Sequence, residues 1–372
     1  MRISIVFGTR PEVIKLAPVA LQARRAGHDV NLVFTGQHRD MVLPLLRLFG
    51  LAPDLDLEAM THDQTLSGLS SRILTAMDTH RDKIASDVVI VQGDTTSAFI
   101  AAYWAFLNQI PVAHVEAGLR TYDLQAPFPE EANRQLIGRL ARLHFAPTLQ
   151  AAKCLKNECL REGVHIVGNT SIDALLYSLG RIRLGDIPPH GTLSSELREF
   201  SSRGKTILVT AHRRENHGEG MRRICEALLQ IVEEDPDVRI VYPVHPNPNV
   251  RKPATELLGN HRRILLCDPL PYLAFVEMMD RSTVLLTDSG GVQEEGPTLR
   301  KPILVMRDTT ERPEGVSAGF AKLIGTQADR IVEASMTALK EGCTTDASNP
   351  YGDGMSAERI VSILEHEIVR RA

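Results

Sequence analysis

The sequence has few cysteines and none arranged for chemistry. Five are scattered over 372 residues without a CxxC pair, and Cys154 and Cys159, five positions apart, do not share a helical face. They read as buried thiols, and neither a disulfide framework nor a thiolate metal site is expected. Long apolar runs are also missing: AFIAAYWAFL, the longest, falls far short of the roughly 20 residues that cross a bilayer. The opening residues MRISIVFGTRPE lack the charged, apolar and small-residue regions of a leader. A cytoplasmic protein with no membrane partner is therefore expected. The net charge of −4 gives no global attraction to nucleic acid. The turn after the first predicted strand carries neither GxGxxG nor GxxxxGK(S/T), so neither a dinucleotide nor a Walker-type triphosphate is indicated.

What the sequence does have is alternation. Short β-branched runs and longer amphipathic stretches follow one another throughout, the pattern of α/β proteins built from βα units in parallel sheets. Strands are predicted at 3–7, 30–35, 87–92, 112–116 and 143–146, then at 206–211, 238–244, 263–268, 283–288 and 302–306, with helices at 12–26 and 96–108 among those between. A chain of this length exceeds one ordinary core. Two Rossmann-like doubly wound domains are expected, 1–175 and 176–355, with a helix at 356–371 crossing back to the first. Only 181–204, containing GDIPPHGTLSSE, breaks the periodicity as a linker does. In such sheets ligands collect at the carboxyl ends of strands, and the two halves are expected to face a central cleft.

The predicted strand ends carry the chemistry. GTRPEVIK (8–15) offers Gly8 for a tight turn, Pro11 for a first helical position, and Arg10 and Lys15 as cations beside a helix N-terminus. That suits a diphosphate, and a turn with solvated charges explains it equally well. Asp94, in QGDTTSA, has the position of an N-cap. Glu116, in HVEAGLRT, ends a buried strand, where a carboxylate must be paired, hydrogen-bonded or functional. Glu130 and Glu131 open a helix in PFPEEANRQ; the positive end of a helix favours acids, though one would suffice.

In the second half, TAHRRENHGEG (210–220) crowds His212, Arg213, Arg214, Glu215, Asn216 and His217 beyond a strand without spacing residues. That composition belongs to a site rather than a solvated loop. His245 follows the next strand between prolines, and Tyr272 and Phe275 offer apolar faces suited to a base or to the core. In TDSGGVQEE, Ser289, Gly290 and Gly291 are expected to expose successive amides as an anion cradle. Glu294 and Glu295 are then acceptors for hydroxyls. Phosphates followed by a ribose diol satisfy both, which points to a nucleoside diphosphate on this half.

With these residues assembled, the sequence resembles the non-hydrolysing UDP-N-acetylglucosamine 2-epimerases of bacteria. The motifs run in order along the chain: GTRPEVIK, TGQHRDM, QGDTT, HVEAGLRT, PFPEEANR, GNTSIDAL, TAHRREN, HPNPNVR, DSGGVQEE, RDTTERPE and NPYGDG. The resemblance implies the GT-B fold, a homodimer, and interconversion of UDP-GlcNAc and UDP-ManNAc with no cofactor and no metal. The implied route eliminates UDP to a 2-acetamidoglucal and adds it back. Carried over by position, the family's carboxylates are Asp94, Glu116 and Glu130, from which acid and base are drawn, and its diphosphate histidine is His212. Arg10 and Lys15 match nucleotide contacts in the first domain. Phe275 at the uracil, Ser289, Gly290, Gly291, Glu295 at the ribose, and Arg312 match those in the second.

Some members bind a second UDP-GlcNAc as an activator. Gln37, His38, Arg72, Glu131, Arg213 and His245 fall at or near the matching positions, but Asp40 stands where activated members carry Gln. Weak or absent activator dependence is expected. Leu270 replaces a frequent Gln beside the uracil position, so one polar contact is expected to be lost there or replaced by backbone. A hydrolysing relative, an epimerase of a modified UDP-sugar and a GT-B glycosyltransferase stay open as alternatives.

Overall fold

A computed structural model describes residues 1–61, 64–186 and 191–368. They form two compact units: Met1–Ala174 packs with the described residues from Gly352 onward, and the second unit lies within Leu175–Tyr351. The division at 174/175 falls inside the helix Thr170–Leu184 rather than in the Pro/Gly-rich stretch. Helices Thr170–Leu184 and Ser195–Ser202 occupy both ends of the segment predicted as a linker; its residues 187–190 lie outside the described residues.

Among the described residues, unit one holds β1 (Arg2–Phe7), β2 (Asp29–Phe34), β3 (Leu55–Asp56), β4 (Val88–Gln92), β5 (Val112–Val115), β6 (Leu143–Ala146) and β7 (Val164–Ile166). The sheet order is β3-β2-β1-β4-β5-β6-β7, and each neighbouring pair is parallel. Helices cover both faces of such a sheet, so its central strands are mostly apolar on both faces rather than alternating. Ile3, Ile5, Val6 and Phe7 are all buried, and Val6, Val33, Val89 and Val91 pack with Trp104 of helix Thr96–Leu107.

Unit two repeats the plan with β8 (Lys205–Thr210), β9 (Val238–Pro243), β10 (Ile264–Cys267), β11 (Val284–Thr287), β12 (Ile303–Val305) and β13 (Ala321–Leu323), in the order β10-β9-β8-β11-β12-β13. Its core sets Ile207, Val209, Ile240 and Leu286 against Met221, Ile224, Leu228 and Ile231 of helix Glu219–Glu234. Those four helix positions are spaced by three or four, one apolar stripe of an α-helix. In both sheets the strand order reverses between two adjacent strands, β1 and β4 in the first, β8 and β11 in the second. The loops beyond these pairs diverge and leave a crevice at their carboxyl ends.

The edge strands β3, β7 and β13 were not expected from the sequence. They have two or three residues each, too few to show a period of two. The last described helix is Ser356–Ile368; the predicted positions 369–371 lie outside the described residues. It packs against helix Arg10–Arg25, with Glu365 3.0 Å from His28 Nε2. Among the described residues no helix is long and apolar enough to cross a membrane.

His114 on β5 stands opposite His144 on β6, and both are buried. Burial lowers the pKa of His114 to about 3 and that of His144 to about 4, from about 6.5 in the unfolded chain. The unfolded state therefore binds more protons in this interval, and stability that is full above about pH 6.5 is lost as pH falls toward about 4. Each histidine contributes a slope of about 1.4 kcal/mol per pH unit where only the unfolded form is protonated. Urea midpoints should drop steeply between pH 7 and 5, and His144→Leu should flatten that dependence. An unchanged slope in the variant would remove His144 from the effect.

Candidate active site

In unit one the crevice between β1 and β4 is bounded by two turns tied together. Helix Arg10–Arg25 starts directly after β1, with Pro11 in its first turn. Its start is fixed by Glu12, whose Oε2 accepts from the Gly8 amide (3.1 Å), the Thr9 amide (2.7 Å) and the Thr9 hydroxyl (2.7 Å). The reciprocal cap satisfies amides that a helix start leaves without partners. Thr95, beyond β4, donates to the other Glu12 oxygen at 2.8 Å. Burial raises the Glu12 pKa above its ordinary value despite these bonds. Gly8 is required by close approach: a Cβ would lie 2.4 Å from Thr35 Oγ1 and 2.6 Å from Gln37 Oε1.

Arg10 and Lys15 project from this helix, and Lys15 forms an ion pair with Glu116, the residue after β5. The Glu116 side chain is 8% exposed. It also accepts from Gln92 Nε2 at 2.5 Å and Asn169 Nδ2 at 3.2 Å. Its backbone is left-handed (φ 62°), a conformation that costs a non-glycine residue about 1 kcal/mol or more and clusters at functional sites. Groups from the ends of β1, β4, β5 and β7 thus converge on one carboxylate. The requirement that Glu116 be paired is met.

Asp94 is not the N-cap of the following helix. Thr95 takes that place, its hydroxyl accepting from the Ala98 amide at 3.0 Å. The Asp94 carboxylate turns instead to Arg134, 2.6 Å away, while Asn133 Nδ2 donates to the Asp94 carbonyl at 2.8 Å. Both partners stand on helix Glu130–Leu140, whose first residue is the half-buried Glu130. Glu131, expected near an activator, is fully buried and accepts from the amides of Thr121 (3.0 Å) and Tyr122 (3.2 Å), from Gln135 and from Arg134. Those bonds lower its pKa against its burial. Its carboxylate anchors the 121–122 loop inside the unit. Of the other activator positions here, Gln37 accepts from the Ser97 hydroxyl at 2.6 Å, Arg72 donates to the Ala59 carbonyl at 2.8 Å, and His38 is exposed.

In unit two, β8 and β11 lie side by side with Thr210 opposite Thr287, so the residues just beyond them are neighbours. Asp288, fully buried, accepts through Oδ2 from the amides of His212 and Arg213, each at 2.8 Å, and from Asn216 Nδ2 at 3.1 Å. Burial alone would raise its pKa; His212 and these amides hold it below the ordinary carboxylate value. His212 Nδ1 lies 3.1 Å from Asp288 Oδ1, and its ring stacks on that of exposed His245 at 5.8 Å. The His245 pKa is lowered by burial, then by the charges of His212 and His217. Arg213 is half-buried, its Nε 3.3 Å from the Asp288 carbonyl. Arg307 ties the 212–217 loop to the next, reaching Glu215 at 2.5 Å and Glu311 at 2.9 Å; Arg307 outweighs burial and draws the Glu311 pKa down to about 2.

The expected anion cradle is only partly available. The Ser289 amide already donates to Thr287 Oγ1 at 2.9 Å, Gly290 is buried, and Gly291 is exposed. The Arg312 guanidinium covers Gly290, where a Cβ would meet it at 3.4 Å. Glu294, expected to accept from hydroxyls, is 2.8 Å from Arg312 Nε, whereas Glu295 is buried on the same short helix, Gly290–Glu295. Phe275 is half-buried on helix Tyr272–Arg281, and Tyr272 belongs to the core. Among the described residues no three His, Cys, Asp or Glu side chains converge as a metal site requires.

Two parallel doubly wound sheets, each carrying polar residues where its strand order reverses, define a protein of the GT-B fold. Residues 20–365 match the family model described as UDP-N-acetylglucosamine 2-epimerase. A Campylobacter jejuni UDP-N-acetylglucosamine 2-epimerase is 47% identical, over 98% of this chain and 97% of its own. The crystal structure of UDP-GlcNAc 2-epimerase from Neisseria meningitidis bound to UDP-GlcNAc superposes with a TM-score of 0.86 at 42% identity, covering 99% of this chain and 100% of that one. The S. aureus MnaA-UDP co-structure gives 0.84 at 42%, covering 98% and 96%. The chain belongs to the UDP-N-acetylglucosamine 2-epimerase family.

Proposed function

We propose that the protein interconverts UDP-GlcNAc and UDP-ManNAc by cofactor-free elimination and re-addition of UDP, without releasing free sugar. The sugar C2–H is not acidic, and removing its proton alone would leave an unstabilised carbanion. When the C1–O bond to UDP breaks as the proton leaves, the electron pair of C2–H becomes the C1=C2 bond of 2-acetamidoglucal and the negative charge departs with the diphosphate. Returning the proton to the opposite face of C2, while UDP adds back at C1, inverts that carbon. The route needs proton-transfer groups for both faces and donors for the departing diphosphate.

The observation that carries this reading is the pair of carboxylates just beyond β4 and β5, Asp94 tied to Arg134 of the helix that Glu130 opens and Glu116 held by Lys15, Gln92 and Asn169. Asp94, Glu116 and Glu130 are assigned the proton transfers, and Arg10 and Lys15 nucleotide contacts. In unit two His212 is assigned the leaving diphosphate, and Phe275, Ser289, Gly290, Gly291, Glu295 and Arg312 the nucleotide. Relatives solved with UDP-GlcNAc and with UDP support the choice of substrate. A homodimeric assembly and a cytoplasmic location accompany this reading.

Chromatography of purified protein with UDP-GlcNAc should show UDP-ManNAc growing to a constant ratio. UDP accumulating with equimolar free ManNAc would assign a hydrolysing epimerase instead. Transfer of sugar to an added acceptor would assign a glycosyltransferase.

A further inference from the structure

We propose that Asp288 is the positioning residue of His212: its buried carboxylate selects the imidazole tautomer that carries the proton on Nδ1 and so turns Nε2 toward the leaving diphosphate. The proposal rests on the assignment of His212 to that diphosphate made above.

The two oxygens of Asp288 have different surroundings. Oδ2 is saturated by two backbone amides and Asn216 Nδ2. Oδ1 is buried and receives no well-aligned hydrogen bond, yet His212 Nδ1 lies 3.1 Å from it. A carboxylate only accepts, so the imidazole nitrogen facing it must carry a proton. Three donors fix the carboxylate, and the His212 amide on Oδ2 ties the backbone of the same histidine to it. The carboxylate therefore sets both position and tautomer, while the His212 side chain stays 39% exposed. Nε2 is then the atom that takes a proton from water, forming an imidazolium with a buried anion beside Nδ1, and gives that proton to the departing phosphate oxygen, which returns the ring to the neutral tautomer protonated on Nδ1. A buried carboxylate positions the base of a serine-protease triad by the same logic.

Asp288→Asn tests this with nearly unchanged shape. The asparagine oxygen can still accept from the two amides and Asn216, and its NH2 then faces Nδ1, which favours the opposite tautomer. Nitrogen-15 NMR of histidine-labelled protein, with the His212 signal identified by its loss in His212→Gln, should show Nδ1 protonated and Nε2 unprotonated in the native protein at neutral pH. In Asp288→Asn that pattern should reverse. The kcat for epimerisation should fall roughly 100-fold or more with KM changed less than about threefold, and Asp288→Asn should cost less than about threefold in a His212→Gln background.

A native His212 protonated on Nε2 overturns the proposal, and so does a loss of the same size with or without His212, which marks a merely structural carboxylate. Should Asp288→Asn not fold, the native tautomer alone decides. A native protein without epimerase turnover defeats the assigned reaction, and the tautomer comparison still decides the pairing.

Discussion

Glu116→Gln is expected to bind UDP with native affinity and to lose turnover by a factor of roughly a hundred or more. Glutamine keeps the size of the side chain and one oxygen, which can stand in for Oε1 and accept from Lys15 and from Asn169 Nδ2, 3.2 Å away; its NH2 then replaces Oε2, and the Gln92 amide, 2.5 Å from Oε2, can turn over to accept from it. What it cannot do is take or return a proton. UDP affinity measured by calorimetry, alongside initial rates in both directions, separates the two effects. Turnover within a few-fold of native would remove Glu116 from the chemistry and leave proton transfer to Asp94 and Glu130. Loss of UDP binding would make Glu116 a structural support.

Lys15→Met is expected to damage both stability and activity. Lys15 and Glu116 are 16% and 8% exposed, so the pair is largely withdrawn from water. Removing the cation leaves a carboxylate whose burial is compensated only in part, a change that costs about 3 kcal/mol in comparable buried pairs. The urea midpoint should fall accordingly, and turnover should fall at least as far as in Glu116→Gln. The double variant Lys15→Met with Glu116→Gln distinguishes the causes. Replacing both charges removes the uncompensated anion, so most of the stability should return while activity stays low. A double variant as unstable as Lys15→Met would show that Lys15 matters through its packing rather than its charge.

The sequence made the architecture legible where strands are long. β1, β2 and β8 are six residues long, each with a mostly apolar, β-branched stretch between turn signals, and their places in two parallel sheets follow from the alternation of such stretches with helices. The edge strands escaped because two or three residues carry no periodicity. Asp94 shows a different limit. Asp94 and Thr95 are adjacent, both of residue types that cap helices, and only the backbone decides which one does. The adjacent acids Glu130 and Glu131 diverge for a geometric reason: neighbours on a helix point about 100° apart, so one turns into the unit and the other stays half-buried.

The pairings within the site lay beyond sequence reading altogether. Gln92, Arg134, Asn169 and Asp288 all stand inside motifs that mark the family, yet nothing local shows what each touches. Asp288 meets His212, 76 positions away, because β8 and β11 are neighbours in register. Asn169 reaches Glu116 because β7 extends the sheet by an edge strand with almost no sequence signal. Strand order supplies these contacts, and the quoted motifs do not encode it.

Proton NMR of the native protein with UDP-GlcNAc in deuterated water, with no added cofactor, tests the reaction most directly. Appearance of UDP-ManNAc carrying deuterium at C2 of the sugar is expected, because the proton taken from one face exchanges before another is delivered to the other. UDP-ManNAc formed with the C2 proton retained would contradict elimination and re-addition through exchanging acids.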